Sequence, residues 1–582
     1  MRTSVAAAIL LTAVLAAAVA GCTATLGDPG GGGAGDAGGV GGQTPPGDGT
    51  LPTGTTPTVD KLGNACTSTQ IAPPLLRRLG AHEYAATVQA AFPSLASAGL
   101  DWASLISISD DTLSKLRLGN DASVLLVGNQ TAKEVMASAE AVAAAVTGAE
   151  SFPLVLPCAG SAADEACATT FIADVGTALF RRPLKDDERA RYLAAYRSVA
   201  GRSDFRTGLK WTLTAILQSP SMLYRSEIGS KTGAANSGAA YQLSPQEIAS
   251  ALAYDFGGGP PSAALLARAA GGALSDPTQR IAEAKQLLLT AGGRQVLQQL
   301  FRQWSLYPRV IAETRAVDSF DVVRQAMNDE TQRFIDEVVV NRKGGVKDLL
   351  TAPLTVLNPA LKQFYGYGGA EIAGSGTADW TVVDRPAEAG IGLLAQGAIL
   401  AGNAHPDSSS PTLRGLVVFE RLLCNPRPLP PANVPRIEAA APGVKTTRQR
   451  YEQTHAAGGA CPVCHTQFDP IGFGFEHFDQ TGRYRADEGG LPIDASGTAR
   501  APDGTPLFSF DGLTDLSQKL AALPQVANCL GGFAEAFVFG GGGGQSCLAA
   551  EQRQALAQGQ TGLLDFVAAL AGSPSFAQRQ GP

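Results

Sequence analysis

The chain has 582 residues, with 45 Lys and Arg against 52 Asp and Glu for a formal charge of -7, and a hydrophobic content of 45%. That length leaves room for three or four domains with real cores, and the composition is that of a globular body. No basic run stands out, which argues against a nucleic-acid partner.

The N-terminus opens with Met1-Arg2, followed by an apolar run from Val5 to Ala20. This run is short and Ala-rich, the shape of a secretory signal rather than of a spanning helix. It ends in Val19-Ala20-Gly21-Cys22, small residues before a Cys, as in the bacterial lipobox. The expectation is a signal peptide over 1–21 and lipid on Cys22, which makes the membrane a partner through the lipid anchor. Thr23 rather than Asp follows the Cys, which points to a cell-envelope location at the outer membrane. Residues 22–60 are rich in Gly, Pro and Thr, cannot bury a core, and read as a flexible tether.

Beyond the tether the apolar spacing is helical. Helices are predicted over Ala85–Phe92, Ala132–Val146, Asp164–Phe180, Lys185–Val199 and Phe205–Leu217. Ser244-Pro245-Gln246-Glu247 is a capping start for a helix to about Asp255. Further helices are expected over Pro277–Thr290, Arg294–Trp304, Phe320–Asn341 and Ser410–Leu423, with Glu330, Asp336 and Glu337 as solvated acids. Strand-like alternation is confined to Thr381–Val383 and Leu507–Phe510. The fold class is therefore all-α, several tandem helical domains with little sheet. The expected units are 61–150, 151–204 (with Arg181-Arg182-Pro183-Leu184), 205–385, a cytochrome c-like domain over 386–490, and 491–582.

The chemistry concentrates at Cys461-Pro462-Val463-Cys464-His465. C-x-x-C-H is the attachment signature of c-type haem: two thiols bond the porphyrin and the adjacent imidazole ligates iron. One covalent haem c is expected, on Cys461, Cys464 and His465. Asp469-Pro470 is expected to force a turn, Gly472 and Gly474 to let backbone approach a flat macrocycle, and Phe468, Ile471, Phe473, Phe475 and Phe478 to wall it. Arg483 and Arg485 are candidates to pair with its propionates. No Met follows the motif, since the last is Met327. The sixth iron position is left to His405, His455, His477, a Met from an earlier segment, or nothing. The alternative cofactor is zinc, held by Cys461, Cys464 and two of His455, His465 and His477. A thioredoxin-type pair lacks its preceding strand, because Arg448 to Gly459 is polar and helix-like.

Export permits disulfides. Of nine Cys, six remain after lipid and haem: Cys66, Cys158, Cys167, Cys424, Cys529 and Cys547. The expected pairs are Cys158–Cys167 and Cys529–Cys547, with Cys66–Cys424 left over.

Several blocks resemble the secreted multidomain proteins of planctomycetes and myxobacteria, which carry tandem helical domains of unknown function and end in a cytochrome c-like module. They include Arg77-Arg78-Leu79 with Glu83-Tyr84; Phe180-Arg181-Arg182-Pro183-Leu184; Gln218-Ser219-Pro220 with Leu223-Tyr224-Arg225; Asn358-Pro359; and Phe364-Tyr365-Gly366. Ser410-Pro411 with Arg414-Gly415, the C-x-x-C-H block, Asp469-Pro470-Ile471-Gly472-Phe473 and Gly482-Arg483-Tyr484-Arg485 continue the pattern. The resemblance runs from about Leu75 to the C-terminus and implies export, tandem helical architecture and a haem c module, but no particular reaction. Near Gly540 the chain departs from it, with a bare glycine run where relatives tend to carry Gly-Arg and an acidic residue. Two functions are expected: electron transfer or haem-dependent redox chemistry, which leaves enzymatic activity open, with a redox or surface protein as partner; or a non-enzymatic surface scaffold with a structural Cys/His site.

Overall fold

Helix boundaries fall where capping chemistry puts them. The computed structural model describes residues 62–581 except 97–98, 111–112, 115–116, 157, 159–163, 232–239, 316, 318, 368–370, 378, 429–445, 456–460 and 542–546. The expected signal peptide, Cys22 and tether lie outside the described residues. Strand β1 (Leu75–Arg78) is followed by α1 (Ala81–Ala91), α2 (Asn129–Val146) and α3 (Glu165–Phe180). Then come α4 (Asp186–Ala200), α5 (Phe205–Leu217) and β2 (Tyr224–Glu227). Asp164 and Asp204 cap α3 and α5 by accepting from Cys167 and Thr207 amides. Ser244 and Glu247 bond reciprocally at the start of α6 (Pro245–Gly257), and Gly258, with φ +72°, ends it.

Helices α7 (Pro277–Leu288), α8 (Ala291–Ser305) and α9 (Phe320–Ile335) follow, α9 widening into a π-helical turn over Asp336–Asn341. A small antiparallel sheet of order β3–β5–β4 joins Leu354–Leu357 (β3), Glu371–Thr377 (β4) and Trp380–Asp384 (β5). The site-bearing elements are α10 (Pro411–Val417, continued as a π-helical turn to Leu422), α11 (Thr447–His455) and α12 (Cys461–Gly472). The hairpin β6 (Ser496–Arg500) and β7 (Pro506–Asp511) precedes α13 (Gly512–Ala521) and α14 (Pro524–Val538). The fold is mostly helical with small antiparallel sheets, as expected. No helix among the described residues is long and apolar enough to cross a membrane.

Two hydrophobic cores form. The first gathers residues of α1 to α5, including Val88, Val142, Ile172, Leu213 and Leu217. Helix α5 thus packs with the segment before it. The second gathers residues from Leu243 to Ala577 together with Leu62, Ala72 and Leu118, and includes Phe468, Ile471 and Phe475 of the C-x-x-C-H region.

The β1–β2 pair, with Leu75 opposite Glu227, was not legible as strand and brings buried charges together. Arg225 lies 2.8 Å and Arg77 3.1 Å from Asp255, and Arg579 pairs with Glu227. Gly540 and Gly541, with φ of +67° and +86°, wrap this cluster: a Cβ there would stand 2.6 Å from Arg77 Nε and 2.4 Å from Asp121 Oδ1. Gly540 and Gly541 are therefore packing requirements of this chain.

Three expectations are corrected by burial and bonding. Glu330, expected in solvent, is fully buried and accepts from Thr355 Oγ1 (2.7 Å) and Tyr365 Oη (2.8 Å). Glu337 is buried as well and Asp336 half-buried, because the long helix packs on more than one side. The disulfides are Cys158–Cys167, as expected, but Cys66–Cys547 and Cys424–Cys529 rather than Cys529–Cys547 and Cys66–Cys424. Cys424 and Cys529 are brought together by α14 crossing the end of the α10 π-helical turn, a contact that sequence distance hides.

Candidate functional site: a histidine pair on one carboxylate

Helix α12 carries Cys464 and His465 in its first turn and Asp469 one turn later, on the same face as His465. His465 Nδ1 lies 3.0 Å from Asp469 Oδ2. His455, the last residue of α11, places its Nδ1 2.7 Å from the same oxygen. The two imidazole centroids are 3.7 Å apart. From α10, the Thr412 hydroxyl donates to Asp469 Oδ1 at 2.6 Å and stands 3.5 Å from His465 Nδ1. Asp469 is 4% exposed. Burial pushes its carboxyl up, and the hydrogen bonds from His455, His465 and Thr412 outweigh that, leaving it below the usual carboxylate range. One ligating atom from each of His455, His465 and Asp469 lies within 4.8 Å of the others.

Close helix crossing makes this possible. A Cβ on Gly415 would sit 2.0 Å from the Phe468 carbonyl oxygen, and one on Gly472 would sit 1.9 Å from that of Pro411. Gly472 thus serves the α10–α12 contact, and Gly474 abuts Phe510 and Leu516; neither opens space for a macrocycle, as was expected of them. Arg414, fully buried, fastens α10 to the segments before and after it by donating to the carbonyls of Leu400, Phe475, Phe478 and Asp479. Burial pushes its guanidinium down to about 10. The expected turn at Asp469-Pro470 is also corrected: α12 runs through Pro470 to Gly472. Pro470 forfeits only the bond to the carbonyl of Thr466, an exposed residue where water can serve.

A pocket of about 480 Å³ opens beside the histidines. Tyr451, His455, His465 and Asp469 line it, with Phe473 and Phe510 as apolar wall and Arg448 and Arg500 as its cations. Arg448 lies 4.5 Å over the Phe473 ring. Of the five expected wall aromatics and aliphatics, only Phe473 reaches the pocket; Phe468, Ile471, Phe475 and Phe478 are ordinary core.

The other expected site residues lie apart from it. Arg485 pairs with Glu476 (3.0 Å) and Glu488 (2.9 Å), and Arg483 stands over the Phe364 ring. His405 Nε2 lies 3.3 Å from the Tyr451 hydroxyl, and burial, reinforced by Arg450, holds its ring below the usual histidine range. His477 stacks on Tyr484, its Nδ1 3.1 Å from the Arg485 carbonyl. Cys464 is a half-buried free thiol outside the histidine–carboxylate cluster. The side chain of Cys461 lies outside the described residues. Asp469, Thr412, Arg448 and Arg500 were missed. The His465-to-Asp469 spacing of four was the available signal for Asp469; the others needed the fold.

Three successive segments match families described as proteins of unknown function. Residues 167–227 match DUF1595, residues 243–367 match DUF1592, and residues 391–488 match DUF1588. The chain carries three domains of unknown function in tandem. The DUF1588 segment contains His455, the C-x-x-C-H motif and Asp469, and it ends before the β6–β7 hairpin that closes the pocket. No curated protein and no solved structure matches the chain.

Proposed function

We propose that this is an exported, lipid-anchored, c-type cytochrome-like protein acting in electron transfer or haem-dependent redox chemistry. The observation that carries the reading is the placement of His465. It stands near the start of α12 at a pocket of about 480 Å³, with Nδ1 on Asp469, so that Nε2 would be the nitrogen to meet iron. In support, the pocket offers the imidazole of His465, an apolar wall at Phe473 and Phe510 and the guanidiniums of Arg448 and Arg500, and the free thiol of Cys464 precedes His465 in the chain without lining the pocket. When bound, haem c supplies reversible one-electron chemistry at iron.

The chain's own residues then have defined tasks. Cys461 and Cys464 would bind the porphyrin covalently, and His465 would ligate iron. Phe473 and Phe510 would exclude water, which favours the less charged state of the centre. Arg448 and Arg500, which line the pocket where Arg483 and Arg485 do not, would be the ones to face propionates. Lipid on Cys22 and the tether would hold the body at the outer membrane, and the preceding helical domains would offer a redox or surface protein a platform.

The test is a protease digest of protein made in a host with haem-attachment machinery. The reading expects the peptide holding residues 461–465 to carry the mass of one haem, and Cys464→Ser to lose the double attachment. An unmodified peptide from wild-type protein overturns it.

A second reading has its own observation. The mutual approach within 4.8 Å of ligating atoms from His455, His465 and Asp469 suits one directly coordinated zinc-like ion, in a scaffold protein without enzymatic activity. Of the expected Cys/His zinc set, His455 and His465 belong to this cluster and Cys464 does not. Stoichiometric zinc in a colourless protein, lost in Asp469→Ala, would favour it.

A further inference from the structure

A single buried carboxylate carries three hydrogen bonds, and that sharing has a chemical consequence. Asp469 Oδ2 accepts from His465 at 3.0 Å and from His455 at 2.7 Å, while Oδ1 accepts from Thr412 at 2.6 Å. An imidazole that gives its Nδ1 hydrogen to a carboxylate is held in one tautomer and one orientation, and its other nitrogen becomes a stronger donor to a metal. In a site this buried the charge is poorly screened, so the hydrogen bond acts at close to full strength. The charge is finite: each donor that binds the carboxylate weakens what the others receive.

We infer that Asp469 is a positioning residue that makes His465 an electron-rich axial ligand and holds the reduction potential of the bound iron low, with Thr412 opposing it by drawing on the same carboxylate. The inference rests on the haem reading. Its redox step is the uptake of one electron by ferric iron from an electrode or mediator, with no bond broken in the protein. The electron-rich ligand stabilises the ferric state, so the electron is accepted less readily.

The two partners of Asp469 give the idea opposite signs. Asp469→Asn keeps an acceptor oxygen but removes the charge, so His465 donates less to iron and the potential rises. Thr412→Val removes a competing donor, so Asp469 pulls harder on His465 and the potential falls. A merely structural disturbance of the α10–α12 contact has no reason to reverse sign between them.

The experiment is a spectroelectrochemical titration of the full haem-loaded protein and both variants against a fixed mediator. The expected shift for Asp469→Asn is about tenfold in the one-electron equilibrium, which is ~59 mV upward, and a smaller downward shift is expected for Thr412→Val. Resonance Raman of the ferrous form gives an independent readout: the iron–imidazole stretch falls in Asp469→Asn and rises in Thr412→Val. If Asp469→Asn does not accumulate, Thr412→Val alone decides, by the direction of its shift. A haem-loaded protein whose potential ignores the substitutions, or moves the same way in both, overturns this inference alone. A wild-type protein without haem overturns it together with the reading beneath it.

Discussion

The imidazoles of His455 and His465 face one another at 3.7 Å between centroids, tied through Nδ1 to one oxygen of Asp469. Two axial ligands of one haem stand on opposite faces, with the macrocycle between their rings. His455 as placed is beside His465, not across from it, and neither His405 nor His477 lines the pocket. If His465 holds haem iron, the sixth position would be open. His455→Ala should retain haem, and the ferric protein should give the same high-spin electron paramagnetic resonance signal as wild type, with both binding added cyanide. A low-spin bis-imidazole signal in wild type that disappears in His455→Ala would show α11 carrying His455 across the iron.

The α10–α12 crossing depends on two glycines. Gly415→Ala would drive a methyl to 2.0 Å from the Phe468 carbonyl oxygen, both inside backbone-to-backbone contact. The helices must separate, at a cost of ~1–3 kcal/mol, and Thr412 must lose its reach to Asp469. The urea midpoint should fall. An unchanged midpoint would mean the two helices are not in contact at this point.

Buried charge couples the strand pair to α6. Burial alone would push the Glu227 carboxyl up; Arg579, Arg77 and Arg225 outweigh it and hold it at about 2. A carboxyl depressed on folding contributes stability above its unfolded value of ~4.3, and that contribution is lost as pH falls from there toward about 2. Glu227→Gln leaves three guanidiniums short of a charge, which should cost ~3–5 kcal/mol at pH 7. Urea titrations at pH 7 and pH 3 should show the deficit shrinking at the lower pH.

Glu535 titrates the other way. Burial raises its carboxyl to about 7, only partly opposed by Arg553. Its contribution to stability is present below the unfolded value of ~4.3 and lost as pH rises through about 7. Glu535→Gln should flatten stability over that range, with a gain at neutral pH of at most about 3 kcal/mol. Thermal midpoints of wild type and variant between pH 4.5 and pH 7.5, taken from assays at ~0.5-unit steps, should converge at the acid end.

Local chemistry was readable from the sequence, and long-range pairing was not. Asp164, Asp204 and the Ser244–Glu247 box mark helix starts because capping depends on residues three apart. Phe205–Leu217 was placed to the residue by its one apolar face, with Ser219-Pro220 ending it. Strand β1 was hidden because its partner lies about 150 positions away and Arg77 and Arg78 are both buried, Arg77 against Glu227 and Asp255, so no alternation of apolar and polar residues shows. The Cys66–Cys547 and Cys424–Cys529 bridges depend on tertiary crossings. At the site, C-x-x-C-H named His465 directly. The side chains gathered around it come also from α10, α11 and the β6–β7 hairpin, and only the fold assembles them.

Acid-acetone extraction of the purified protein, followed by an alkaline pyridine spectrum of the protein pellet, decides the central claim most directly. The account predicts that the colour stays with the polypeptide and gives the spectrum of a thioether-linked haem at one per chain. A colourless pellet from protein matured in a haem-attaching host would contradict it.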